Sequence, residues 1–136
     1  MVLIGTAILW LGWFGFNAGS AGAANGQAVQ ALLNTFVAAS AGLIGWLAVE
    51  KLKGGHATSL GMASGVVAGL VAITPAAGFV GGLTSIVFGL VAGAVCYFAI
   101  SLKTRFGYDD SLDVVGIHGV GAVSYTHLTL PTICSV

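Results

Sequence analysis

The sequence predicts an all-α bundle of membrane-crossing helices, about five in number. Three observations carry this. Of 136 residues, 57% are hydrophobic and only 6% are charged, where a water-soluble domain carries about 25% charged. Such a chain cannot clothe itself in charge, so lipid is its natural solvent. Its apolar residues fall into five runs, too uniformly apolar to be amphipathic surface helices. Its 22 glycines recur at helical spacing within those runs.

A crossing helix needs about 20 mostly apolar residues. The first run spans about Val2 to Ala23 and the second about Ala28 to Val49, separated by Ala-Asn-Gly-Gln at 24–27. Glu50 to His56, with two lysines and a Gly-Gly pair, separates the second from a shorter third at about Leu60 to Ile73, which can reach back to Thr58. Pro75 stops the third, because proline disfavours a helical conformation at the preceding Thr74. The fourth spans about Phe79 to Leu102. Lys103 to Asp110 follows, and the fifth is expected to start near Ser111 and continue past Val123.

If the helices alternate in direction, the second-to-third and fourth-to-fifth connections share one side. Lys51, Lys53, Lys103 and Arg105 all lie there, and the other two connections carry no Lys or Arg. Positive connections face the cytoplasm, so the first helix is expected to run from inside to outside. Met1 is followed directly by an apolar run without a positive n-region, which argues against a cleaved signal peptide. The first residues resemble the interior of a longer chain.

Several classes of function are excluded. Formal net charge is zero, and four scattered cations build no nucleic-acid face. Cys96 and Cys134 read as unpaired thiols, and no CxxC or HExxH spacing calls for zinc. No nucleophile–base pair, phosphate loop or mid-helix carboxylate is present, so neither an enzyme, a cofactor site nor a carboxylate-driven pump is expected.

The glycines predict close packing. Gly61, Gly65 and Gly69 recur every fourth residue, as do Gly89 and Gly93, while Gly12, Gly15, Gly19 and Gly22 form a stripe on the first helix. In lipid, helices associate by the close backbone approach that small residues allow.

Leu9, Trp13, Phe16 and Ser20 are spaced four, three and four apart, which places them on one narrow helical face. That face is a candidate cavity wall, with a hydroxyl near the outer end to accept from a cation. The competing reading is that Trp13 and Phe16 are lipid-facing or core aromatics. His118 is the second candidate. Seven residues into the fifth helix, it would lie about 10 Å along the axis, and ionisable residues within the membrane usually mark a pathway. The competing reading is a packed histidine bonded to a carbonyl. Gly116 and Gly119 flank it and allow another helix close to the ring. Asp109, Asp110 and Asp113 sit where carboxylates cap a helix. Asn17 and Asn34, within the first two helices, are expected to hydrogen-bond to neighbouring helices.

The stretch GTAILWLGWFGFNAGSAGAAN (5–25), above all WFGFNAGSA at 13–21, resembles the ammonium transporter family of Amt, methylammonium-permease and Rhesus proteins. SGVVAGLVAITPAAGFV (64–80) and DDSLDVVGIHGVGAV (109–123) agree with it, so the resemblance covers about residues 1–123. It implies part of an eleven-helix subunit, the sixth to ninth helices and the beginning of the tenth, from a protein that assembles as a trimer with a pore in each subunit. It also assigns roles. Phe16 is one of two stacked rings closing the outer mouth, and Ser20 helps to bind ammonium in the outer vestibule. Trp13, Leu9 and Val114 line the pore, His118 is one of two pore histidines, and Asp113 lies near the inner end. The implied activity is ammonium transport: deprotonation at the outer vestibule, then passage of neutral ammonia along the histidines.

The resemblance also implies what is missing. The second pore histidine, the partner phenylalanine and a vestibule tryptophan belong to earlier helices, and neither His56 nor His127 is placed to replace that histidine. Residues 124–136, SYTHLTLPTICSV, depart from the family pattern, and Pro131 would disrupt a continuing helix. This tail is expected to be foreign to the fold, a cloning, sequencing or assembly junction. A non-transporting membrane module that packs against a partner or senses a ligand is the alternative to transport.

Overall fold

The computed structural model describes residues 1–123, the Thr104 side chain excepted. Among them the regular structure is all helical: α1 (Val2–Gly19), α2 (Gly26–Gly54), α3 (Ser59–Ile73), α4 (Gly82–Phe106) and α5 (114–123), the last opening on a π-helical turn, Val115–Gly119. The expectations for the tail, with His127, Pro131 and Cys134, lie outside the described residues. By length and composition α1, α2 and Gly82–Lys103 of α4 can cross a membrane; α3 is apolar but only 15 residues long.

Each boundary has a local cause, and several differ from the sequence expectation. α1 stops at Gly19 rather than near Ala23, because the chain turns through Gly22 at φ +67°. α2 runs on past Val49 to Gly54. Charge does not end a helix. Lys51 and Lys53 favour the negative end of the dipole, and the stop is Gly55, whose left-handed φ of +76° lets its N–H bond to the Lys51 carbonyl. Thr58 caps α3, accepting from the Gly61 N–H at 2.9 Å. At its other end Thr74 stays right-handed helical (φ −48°, ψ −50°) despite preceding Pro75. Proline lacks the N–H that would reach the Val71 carbonyl, and the Thr74 N–H takes that carbonyl instead at 3.3 Å. Residues 74–80 then form turns, so α4 begins at Gly82 and not at Phe79. The fifth helix begins at residue 114, not Ser111, because Asp113 has a φ of +55° and breaks the helical path.

The core is a three-helix unit of α2, α3 and α4. A Cβ on Gly42 would stand 2.5 Å from the Gly65 carbonyl oxygen and 2.9 Å from the Gly69 Cα. Gly93 abuts the Gly42 carbonyl, and Gly89 abuts that of Ala38. Side chains at these positions would push the backbones apart, so the repeats at 65/69 and 89/93 do mark helix contacts. Gly61 instead meets the Glu50 side chain. The stripe on α1 behaves otherwise: a Cβ on Gly12, Gly15, Gly19 or Gly22 meets nothing within 4 Å. The expected packing face of α1 is thus uncovered among the described residues.

α1 is held by side chains. Trp10 and Trp13 pack against Ala39, Val66 and Leu70. The Asn17 amide donates to Thr35 Oγ1 of α2 at 2.9 Å. Asn34 reaches the connection between α3 and α4 rather than a helix, donating to the Ala77 and Val80 carbonyls at 2.8 and 2.6 Å. That contact puts the start of α2 beside the end of α3. At the opposite end, Glu50 accepts from the Thr58 hydroxyl at 2.7 Å and Lys53 lies 5.1 Å from the Phe98 ring centre. α2, α3 and α4 therefore alternate in direction, and all four Lys and Arg residues collect at one end.

Candidate functional site

The residues singled out on α1 fall on one side of it, as their spacing requires. Leu9, Trp13 and Phe16, with Ile8 and Gly12, line an open apolar groove of about 420 Å³. Phe16 is 62% exposed, and its ring meets the Trp13 ring edge-on with centres 6.0 Å apart. Trp13 has two surfaces. One faces the groove; the other packs on α2 and α3, and its indole N–H donates to Thr74 Oγ1 at 2.8 Å. Thr74 in turn donates to the Leu70 carbonyl at 2.7 Å. Groove lining and core aromatic are therefore both true of Trp13.

Ser20 sits beyond the end of α1, where it lines a second, smaller hollow of about 100 Å³ with Asn17, Gln27, Thr74 and Phe79. Its hydroxyl donates to the Phe16 carbonyl at 2.6 Å. With the proton directed inward, the oxygen offers lone pairs outward, the polarity an N–H cation needs. Thr74 borders the same hollow, so the residue that caps the end of α3 ties the two hollows together through Trp13. Thr74 carried no sequence signal beyond its place before Pro75, since the bond to Trp13 spans 61 positions.

His118 lies in the π-turn, and the helix starts later than expected. It is therefore four residues into α5, about 6 Å along the axis, not seven. Both His118 and Val114 are exposed. The neighbouring Ile117 is buried with Trp46, Ala68 and Cys96. Gly116 lies against α4, where a Cβ would stand 2.8 Å from Ile100 Cγ1; a Cβ on Gly119 meets nothing within 4 Å. Single π-turns within α-helices are frequent at functional sites.

The α1 groove and the π-turn do not touch; α3 is the element in contact with both. Of the three aspartates, Asp110 caps α5, accepting from Val114 and Val115 N–H at 2.9 and 2.8 Å. Asp113 instead pairs with Lys103. Among the described residues, no three His, Cys, Asp or Glu side chains gather as a metal site.

Apolar crossing helices packed through glycine, a groove floored by aromatic rings and a histidine on a π-turn define a multi-pass membrane protein with an exposed, partly polar wall. The chain belongs to the Ammonium Transporter Family, whose model matches residues 1–127. It is 54% identical over 119 residues to the ammonium transporter of Bacillus subtilis, covering 87% of this chain and 30% of that protein. The crystal structure of Saccharomyces cerevisiae Mep2 superposes with a TM-score of 0.89 at 44% identity, over 93% of this chain and 30% of the other. A Sensor Amt Protein superposes with the same TM-score at 30% identity, over 93% of this chain and 32% of its own. The chain spans about a third of the length of these relatives.

Proposed function

We propose that the chain forms one wall of an ammonium transporter, with Leu9, Trp13, Phe16, Ser20, Val114 and His118 on the path. The observation that carries this is the open groove where the exposed Phe16 ring meets the half-buried Trp13 ring, with the exposed Ser20 hydroxyl one helical turn further on in a second hollow. Ser20 and the ring faces recruit ammonium; a ring attracts a cation by about 0.5–2 kcal/mol. A bare cation in a narrow apolar passage is heavily penalised, so the proton is separated and ammonia passes on. His118, placed nearer the cationic end, hydrogen-bonds to it. The charged end faces the cytoplasm by the positive-inside rule, so α1 runs outward and Asp113 lies near the inner mouth. In this reading all five helices cross the membrane, the complete assembly is a homotrimer without catalytic chemistry, and residues 124–136 are not native to the fold.

The test is uptake of radiolabelled methylammonium by the complete gene product in cells lacking their own transporter. Uptake is expected, and His118→Ala is expected to reduce it to background at equal membrane abundance. The similarity to a Sensor Amt Protein supplies the alternative, a non-transporting sensor. Correct insertion without uptake would favour that reading.

A further inference from the structure

We propose that Lys103 is a positioning residue for His118, holding the segment that starts α5 so that the π-turn presents the imidazole in one direction. The consequence for transport rests on the function proposed above; the clamp itself rests on geometry.

Lys103 lies in the last turn of α4. Its ammonium donates to the Asp110 carbonyl at 2.8 Å and to the Asp113 carboxylate. These acceptors bracket the bend that precedes α5. Asp113 has a φ of +55°, a left-handed conformation uncommon outside glycine that aspartate and asparagine adopt more readily than other residues. Its N–H reaches the Asp110 carbonyl at 3.1 Å, and its carbonyl accepts from Ile117 N–H at 2.9 Å. Asp110 meanwhile receives the first two amides of α5 on its two carboxylate oxygens. A single ammonium thus locks both ends of a four-residue bend, and the bend supplies the first hydrogen bonds of the helix that bears His118.

A π-turn is easily lost, because it competes with the ordinary i→i−4 ladder. Relaxing it by one residue would rotate the turn by about 100° about the helix axis. Burial of Ile117 and the fit of Gly116 against Ile100 resist this from the α3 and α4 side. The Lys103 clamp resists it from the start of the helix. A lysine serving only as an inner-side charge would have no need of two acceptors across the bend, and Arg105 in the same turn already supplies such a charge.

The experiment uses the complete gene product in cells and in liposomes, with Lys103→Met, Lys103→Arg and Asp113→Asn. Per molecule in the membrane, Lys103→Met is expected to lower the maximal methylammonium uptake rate about tenfold, as a displaced working group does. The half-saturating concentration, set at Phe16 and Ser20, should stay within about twofold. Lys103→Arg should restore most of the rate. If Lys103→Met does not accumulate, Asp113→Asn, which keeps the bond to Asp110, carries the same expectation. A second readout is independent of transport: the nitrogen-15 signal of the His118 ring in liposomes, assigned by its loss in His118→Gln. It should be a single pair of lines, one for each ring nitrogen, in the unaltered protein, shift or multiply in Lys103→Met, and return in Lys103→Arg. A normal per-molecule rate with an unchanged ring signal in Lys103→Met overturns the clamp. Absence of uptake by the unaltered protein overturns the transport reading alone, and the ring signal then decides the clamp.

Discussion

The first helix and the three that follow it use the same small-residue pattern to different ends. In α2, α3 and α4, glycines bring backbones into contact, and 44% of the apolar span of α2 and 39% of that of α4 is buried. In α1 only 6% is buried, and its glycines face open space. What holds α1 is polar and aromatic: Asn17 to Thr35, Trp13 to Thr74, and Trp10 over Phe36 with ring centres 5.7 Å apart. Periodic glycine thus licenses close approach without saying whether anything within the chain makes it. The helix with the uncovered stripe is also the one that carries the proposed path.

Substitutions at three positions in the complete gene product test that contrast. The largest effect is expected at Gly93, whose Cα faces the Gly42 carbonyl and the backbone of Trp46. Gly93→Leu should leave no monodisperse protein on fluorescence-detected gel filtration, and Gly93→Ala should cost about 1–3 kcal/mol in detergent unfolding. Full accumulation of Gly93→Leu would show that the three-helix unit is looser than described. Next is Asn34→Ala. It removes both bonds to the Ala77 and Val80 carbonyls and should destabilise by about 1–3 kcal/mol, since the buried Ala77 carbonyl loses this donor while Val80 keeps the one from Gln30. The smallest is Gly12→Ala, expected to shift stability by less than about 0.5 kcal/mol. If Gly12→Ala proved as damaging as Gly93→Ala, a segment outside residues 1–123 would have to cover the α1 stripe.

Much of this was legible in the sequence. Composition alone gave the helical class, and the apolar runs located the helices. Glycine repeats at 65/69 and 89/93 marked contacts that the structure makes. Gly42 escaped notice, although both α3 and α4 lean on it. Ala38 and Trp46 stand four residues either side of it, so the every-fourth pattern is absent there, although Gly45 follows at three. The end of α2 was misplaced because the apolar run stops at Val49 while the helix continues under charge to Gly54. The start of α5 was misplaced because a left-handed aspartate is a property of one backbone angle, invisible in residue type. The spacing of Leu9, Trp13 and Phe16 did place them in one groove. Ser20, the right-handed cap of α1 (φ −63°, ψ −15°), keeps its N–H and hydroxyl on the Phe16 carbonyl as the spacing implies, and it lines a second hollow rather than the groove. Pairings such as Trp13 to Thr74 or Lys103 to Asp113 depend on which helices become neighbours, and spacing along the chain carries no such information.

The position of Gly42 has a mechanical consequence. Two helices press on the same few backbone atoms from different sides, so neither can slide along α2 without disturbing the other. Close-packed contacts of this kind transmit displacement instead of absorbing it. The trio is expected to move as one rigid slab, leaving any flexing to what hangs from it by side chains: the first helix and the kinked start of the last.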